Sequence, residues 1–296
     1  MPIPGKSLMS VVRTERTVMG GGTSHVKVAY PANSVEAARA GSNALWRVLL
    51  GCALMYLVLQ GGLMLLIPSL DQPSAALVVA AAMFVVAIVI ERGFFARDVA
   101  SGLKALGLGR PTGGAMLVSL ILIIGMGAFF PIYSAVTEVP IGLRADWLWV
   151  LIGAVALNGL AEETLFRGFV FGHLRQGGHS FWRAGFTSLV IFGLVHLFLL
   201  VGNPPEIAIL GALVAAVAAF PFAFLYERAG NTIWAGAVLH VGAHFFRLVE
   251  IPETEYMTVA MTWLVVQVGF PFLVLAFVNT LLRSEPRTVA VTAVQA

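Results

Sequence analysis

The chain has 296 residues, 59% of them hydrophobic and 11% charged, where a soluble domain carries about 25% charged residues. That deficit excludes an ordinary soluble domain and points to an all-α, polytopic membrane protein. The net charge of +3 is small and carried by connecting segments, which excludes nucleic acid as a partner, and the single cysteine, Cys52, excludes an intramolecular disulfide or a Cys-based metal cluster.

Residues 1–45 mix Lys6, Arg13, Arg16, Lys27 and Arg39 with Gly, Ser and Thr and show no sustained apolar period. They read as a mobile tail, without the basic, apolar and cleavage-site order of a secretory signal peptide. The stretch 46–282 divides into about eight candidate spans of roughly 20 apolar residues each. Their expected limits are Trp46 to Ile67, Ser74 to Ile90, Gly114 to Val136 and Asp146 to Phe171 in the first half. Phe181 to Val201, Glu206 to Tyr226, Thr232 to Val249 and Met257 to Leu282 follow. Pro68 and Pro73, Pro204 and Pro205, and Gly230 with Asn231 punctuate the runs, and residues 283–296 form a polar tail. Between the second and third spans, "ERGFFARDVASGLKALGLGRP" is too polar to cross. It reads equally as an interfacial amphipathic helix and as a basic loop.

Lys and Arg fall unevenly on alternate connections. One set holds the N-terminal tail, Arg92, Arg97, Lys104, Arg110, Arg175, Arg183, Arg228 and the C-terminal tail, while the other holds Arg144 and Arg247. The positive-inside rule then places both termini in the cytoplasm, which requires an even number of spans. No internal repeat is evident, which disfavours an inverted-repeat transporter.

Ionised groups inside a bilayer cost at least about 2.5–3.5 kcal/mol each, so those in the spans call for a partner or a function. The fourth span carries Glu162, Glu163 and Arg167 in "AEETLFR". On a regular helix Glu163 and Arg167 are i,i+4 neighbours that neutralise each other, and Glu162 points about 100° away, free to face a cavity. His196 lies in the fifth span, His240 and His244 in the seventh, and Asn158 one turn before Glu162. At about 1.5 Å per residue, Glu162, His196, His240 and His244 lie roughly 14–22 Å from one face, a single layer on three helices. A carboxylate beside an imidazole in a shielded cavity suits removal of a proton from water and its return to a leaving amine. The paired imidazoles of the seventh span suit a developing oxyanion. Amide hydrolysis is the chemistry suggested. Zinc is the competing reading, because His240 and His244 have i,i+4 ligand spacing and Glu162 with His196 would complete a site. No HExxH is present: Val241, Gly242 and Ala243 separate the histidines.

Together these motifs, EExxxR at Glu162, Glu163 and Arg167, FxxxH at Phe192 and His196, and an HxxxN-like pair at His240 and His244, resemble the CPBP family of CAAX proteases and bacteriocin-processing enzymes. The resemblance covers about residues 146–250. It implies an eight-helix intramembrane endopeptidase with a site open toward the cytoplasm, no required cofactor, and a peptide or membrane-protein substrate, lipidated or not, met in the cell membrane. It also implies that Glu162 and His196 activate water, that His240 and position 244 hold the oxyanion, and that Glu163 and Arg167 support them. His244 stands where the family has asparagine. Members that serve as scaffolds or immunity proteins keep a non-enzymatic role open, as does a proton-coupled transporter using the same Glu and His groups.

Overall fold

A computed structural model describes residues 34–201 and 204–281. Seven helices in it are long and apolar enough to cross a membrane: α1 (Leu45–Leu66), α2 (Gln72–Phe95), α4 (Gly113–Thr137), α5 (Trp147–Gln176), α6 (Phe181–Leu200), α7 (Ala208–Arg228) and α9 (Tyr256–Phe277). Between them lie two shorter helices, α3 (Val99–Ala105) and α8 (Trp234–Ala243). A two-residue antiparallel pair, β1 (Gly142–Leu143) with β2 (Val249–Glu250), is the strand content of the described residues. The protein is therefore an all-α, multi-pass membrane protein.

The eighth expected span differs from the expectation in kind. Helix α8 has ten residues, about 15 Å, roughly half a hydrocarbon core. It nevertheless traverses the bundle. Just ahead of it, Ile233 N–H donates to the Gly107 carbonyl at 3.0 Å, and the Trp234 indole donates to Gly109 O at 2.6 Å. Both anchors lie just before the start of α4. Beyond α8 the chain continues as a 3₁₀ turn, Phe245–Leu248, and β2 then pairs with β1 just after the end of α4. A short helix, a tight turn and an extended pair thus cover the distance that α4 covers as one helix. Seven helices, one fewer than the eight expected, have the length of a span, and the stretch from Ile233 to Glu250 runs beside α4 as a shorter, broken path.

The remaining connections sort to two faces. At the basic face, Arg47 reaches the Phe94 carbonyl at 3.1 Å. There Arg175 holds Glu227 through two bonds of 2.7 and 3.0 Å, and Arg97 joins Glu91 and Gln176, each at 2.7 Å. At the other face, the Trp149 indole donates to Asp71 at 3.1 Å and Arg144 N–H to Leu248 O at 3.0 Å. Residues 96–98, at the start of the expected loop, run into α3, whose N-cap Asp98 accepts from Ser101 N–H at 2.7 Å. Here Val99 is exposed while Leu106 is fully buried. Helix α1 is preceded by helical residues from Ser34 onward, so the helix starts earlier than the expected boundary at Trp46. The rest of the expected tails, residues 1–33 and 282–296, lies outside the described residues.

Two apolar clusters fill the interior. One joins α1, α2, α5 and α6 through Met55, Met83, Leu165, Phe169 and Phe192. The other joins α4, α7, α8 and α9 through Met126, Phe222, Leu239 and Trp263. Outward-facing Val85, Ile124, Phe186 and Val265 stay largely exposed, as an acyl-facing surface requires. Glycine at position 168 lets the chain approach Leu106 so closely that a Cβ there would run into its backbone carbonyl. That contact docks α5 against the segment following α3.

Candidate active site

Each helix that carries a candidate residue departs from α geometry at such a residue or within a turn of it. Helix α5 is wound as a π-helix over Val155–Glu162 and again over Thr164–Phe171. Helix α6 is α-helical only to Val195 and tightens to 3₁₀ from His196. Helix α8 ends at Ala243, and His244, with φ −98° and ψ 7°, opens the next turn. Such irregular turns leave backbone and side chains off the regular ladder, which is why they collect at functional sites. Here they surround a cavity of about 520 Å³ lined by Asn158, Glu162, Phe166, Arg167, His196, His240 and His244 among others.

The adjacent glutamates occupy different surroundings, as the sequence led us to expect. Glu163 is fully buried, lies 3.0 Å from the Arg167 guanidinium and accepts from His240 Nδ1 at 2.7 Å. Arg167, 1% exposed, stacks its guanidinium over Phe192 at 4.6 Å and Phe222 at 4.9 Å. The charge is thus spread between one carboxylate and two aromatic faces. Glu162 is on the cavity wall: its Oε1 accepts from Asn158 at 2.6 Å, and its Oε2 lies 3.8 Å from His240 Nε2. That gap is too long for a hydrogen bond, and both atoms border the cavity. Helix α5 can come this close to α8 because position 159 is glycine. A Cβ there would stand 2.9 Å from Val241 and 3.3 Å from the Ala237 carbonyl.

One expected pairing changes. The imidazole within 4 Å of Glu162 is that of His240, and His196 makes no such approach among the described residues. Instead His196 donates from Nδ1 to the Phe192 carbonyl at 2.7 Å, because a carbonyl can only accept. Its Nε2 is left without that proton, and the residue lines the cavity. By the same logic the Glu163 carboxylate takes Nδ1–H of His240 and leaves Nε2 toward Glu162. His244 lies beyond His240 with ring centroids 5.3 Å apart. Among the described residues no three of His, Cys, Asp and Glu converge as a metal-holding group. The donors instead spread around the cavity, with two Nδ1 atoms already committed.

Sequence reasoning missed several wall residues. Tyr56, whose hydroxyl donates to Val195 O at 2.8 Å, lines the cavity together with Gln60, Gln267 and Arg247. Arg247 had counted as a loop charge. Its position three residues after His244, inside a broken apolar run, was the available signal.

Fold and site together define a multi-pass helical membrane protein with a carboxylate–imidazole cluster inside its bundle. Residues 144–246, about a third of the chain, match the family model described as type II CAAX prenyl endopeptidase Rce1-like. This match supports the CAAX-protease resemblance read from the motifs and suggests intramembrane endopeptidase activity. The matched stretch runs from just before α5 to the turn after α8 and holds Glu162, Glu163, Arg167, His196, His240 and His244. No curated protein and no solved structure matches the chain.

Proposed function

We propose that this protein is an intramembrane endopeptidase that hydrolyses a peptide bond with water activated by Glu162. The observation that carries the reading is the 3.8 Å gap between Glu162 Oε2 and His240 Nε2 on the wall of the cavity. A water seated beside Glu162 on the cavity side gives one proton to that carboxylate as its oxygen bonds to the scissile carbonyl carbon. His196, with Nε2 free, orients this water from across the cavity. The oxyanion that forms is held by His240 and His244. His240 already gives Nδ1–H to Glu163, so it can give the oxyanion a hydrogen bond from Nε2 only when both ring nitrogens carry a proton. When the tetrahedral adduct collapses, the C–N bond breaks and Glu162 returns its proton to the leaving amine. Histidine at 244 donates one hydrogen bond in either neutral tautomer, so it can do the work of asparagine. Glu163 and Arg167 position His240 and do not touch substrate.

The substrate is a peptide or membrane protein within the bilayer, with a lipid chain or without one. Purified protein in detergent, offered a peptide library, should cleave a subset of it. Glu162→Gln should lower kcat at least about 10²-fold, and His196→Ala should lower it as well. Cleavage unchanged by both substitutions would sink the proposed site. Activity should persist in a strong chelator, and stoichiometric zinc lost together with activity would replace the reading by a metal-dependent one.

A further inference from the structure

The basic segment between α2 and α4 takes no part in the proposed reaction, yet it is tied to the helices that do. Leu106 packs on Gly168 of α5, and the carbonyls of Gly107 and Gly109 accept from the Ile233 N–H and the Trp234 indole at the start of α8. Segment and turn together frame two adjoining hollows on the basic face, and Lys104, Gly109 and Arg110 border both. One hollow is polar, with Ser101, Gln176 and Asn231 on its rim. The other is apolar, with Leu103, Leu108, Pro111 and Trp234. Among the described residues no carboxylate borders either. Lys104 and Arg110 are both exposed, and among the described residues neither side chain makes an ion pair, whereas Arg97 and Arg175 on the same face each hold a glutamate. The polar hollow adds donors: the Gln176 oxygen accepts from Arg97 at 2.7 Å, which leaves its amide N–H groups to donate.

We propose that Lys104 and Arg110 hold the phosphate of an anionic phospholipid from the cytoplasmic leaflet. The headgroup fills the polar hollow, and the upper acyl chain lies against Leu103, Leu108, Pro111 and Trp234. A guanidinium fork and an ammonium point charge together suit a phosphate, and basic side chains at the cytoplasmic surface draw anionic lipids. A soluble anion would use only half of the site, because the apolar hollow offers it nothing. Bound there, the lipid bridges the segment after α3 to the start of α8 and so secures the docking of α8, whether or not the endopeptidase reading holds.

The probe is phosphatidylglycerol, with phosphatidylcholine as its counterpart of no net charge, each added to the purified full chain in a non-ionic detergent. Native mass spectrometry reads the lipid retained, and the unfolding midpoint reads its effect. Wild type should retain phosphatidylglycerol and unfold at a higher temperature with it, and should respond little to phosphatidylcholine. Lys104→Gln combined with Arg110→Gln should weaken phosphatidylglycerol binding roughly 30-fold, about fivefold for each cation removed. Arg92→Gln, which removes an exposed cation of the same face outside both hollows, should leave it near wild type. Equal binding of the two lipids by the wild type overturns the inference, even if the variants fail to fold. An equal loss in Arg92→Gln and the double variant also overturns it, showing diffuse attraction by the whole basic face. Glycerol phosphate that raises the midpoint as far as the lipid does would replace the lipid by a soluble anion.

Discussion

Glu163 and Arg167 differ from Glu162 in what their removal exposes. Both members of the pair are essentially out of contact with solvent, so deleting the cation strands a buried carboxylate that keeps only His240. Arg167→Ala should therefore destabilise the fold by about 3–5 kcal/mol, read as a fall in the unfolding midpoint in detergent. The double variant Arg167→Met with Glu163→Gln should cost less than the sum of the two single changes, because it strands no charge. Glu162→Gln should leave the midpoint near wild type, since Asn158 can still donate to the amide oxygen in place of the carboxylate. A large loss of stability in Glu162→Gln would make that residue structural. The i,i+4 pairing of Glu163 with Arg167 was legible in the sequence because it is local. The partner of Glu162 was not, because which imidazole stands opposite depends on how closely two helices approach, and that is decided by a missing Cβ at position 159.

The same dependence appears at the scale of elements. Eight apolar runs could be read from hydropathy, since each must satisfy its own backbone within the bilayer. The π-wound middle of α5 and the breaks at His196 and His244 could not, because local pattern sets a helix's existence while packing sets its winding. Those irregularities make the close approach at Gly159 worth testing directly. Gly159→Val would push α5 off Val241 and Ala237 and widen the gap between Glu162 and His240. A displacement of 1 Å costs about 10²-fold in rate, so kcat should fall much further than stability. Equal losses in both would mean that the contact serves folding alone. Gly168→Ala should act the other way, unfolding the protein before it alters kinetics, because its Cβ meets a backbone carbonyl that cannot swing aside. Helix α2 offers a pH handle outside the bilayer. Ser74, through its N–H at 2.8 Å and its hydroxyl at 2.9 Å, holds the Asp71 carboxyl below the ordinary aspartate value of 3.8. Depressed in the folded state, Asp71 contributes stability that is complete above that value and lost as pH falls through its lower folded one. Asp71→Ala should remove this acid-side slope.

At the scale of the whole molecule two expectations collide. The uneven distribution of Lys and Arg puts the loops carrying Arg97, Lys104, Arg110, Arg175 and Arg228 in the cytoplasm, whereas the family resemblance puts the mouth of the site there. The cavity does not reach that face: Phe166, Arg167 and Phe222, each at most 3% exposed, close its floor on the basic side. Its walls run the other way, to Ile67, Gln72, Leu199 and Gly211 beside the arginine-poor connections. Both expectations cannot hold, and the charge rule is the physical one, since it rests on many independent side chains. It predicts that the cavity mouth faces away from the cytoplasm. Cysteines introduced at Ser101, on the basic face, and at Thr254, between β2 and α9, are both exposed positions. The native thiol, Cys52, is 5% exposed and gives little background. A membrane-impermeant thiol reagent added to intact cells should label Thr254→Cys and spare Ser101→Cys until the membrane is opened. Labelling in the reverse order would turn the molecule over, put its basic loops outside against the charge rule, and give the active site a cytoplasmic supply of substrate.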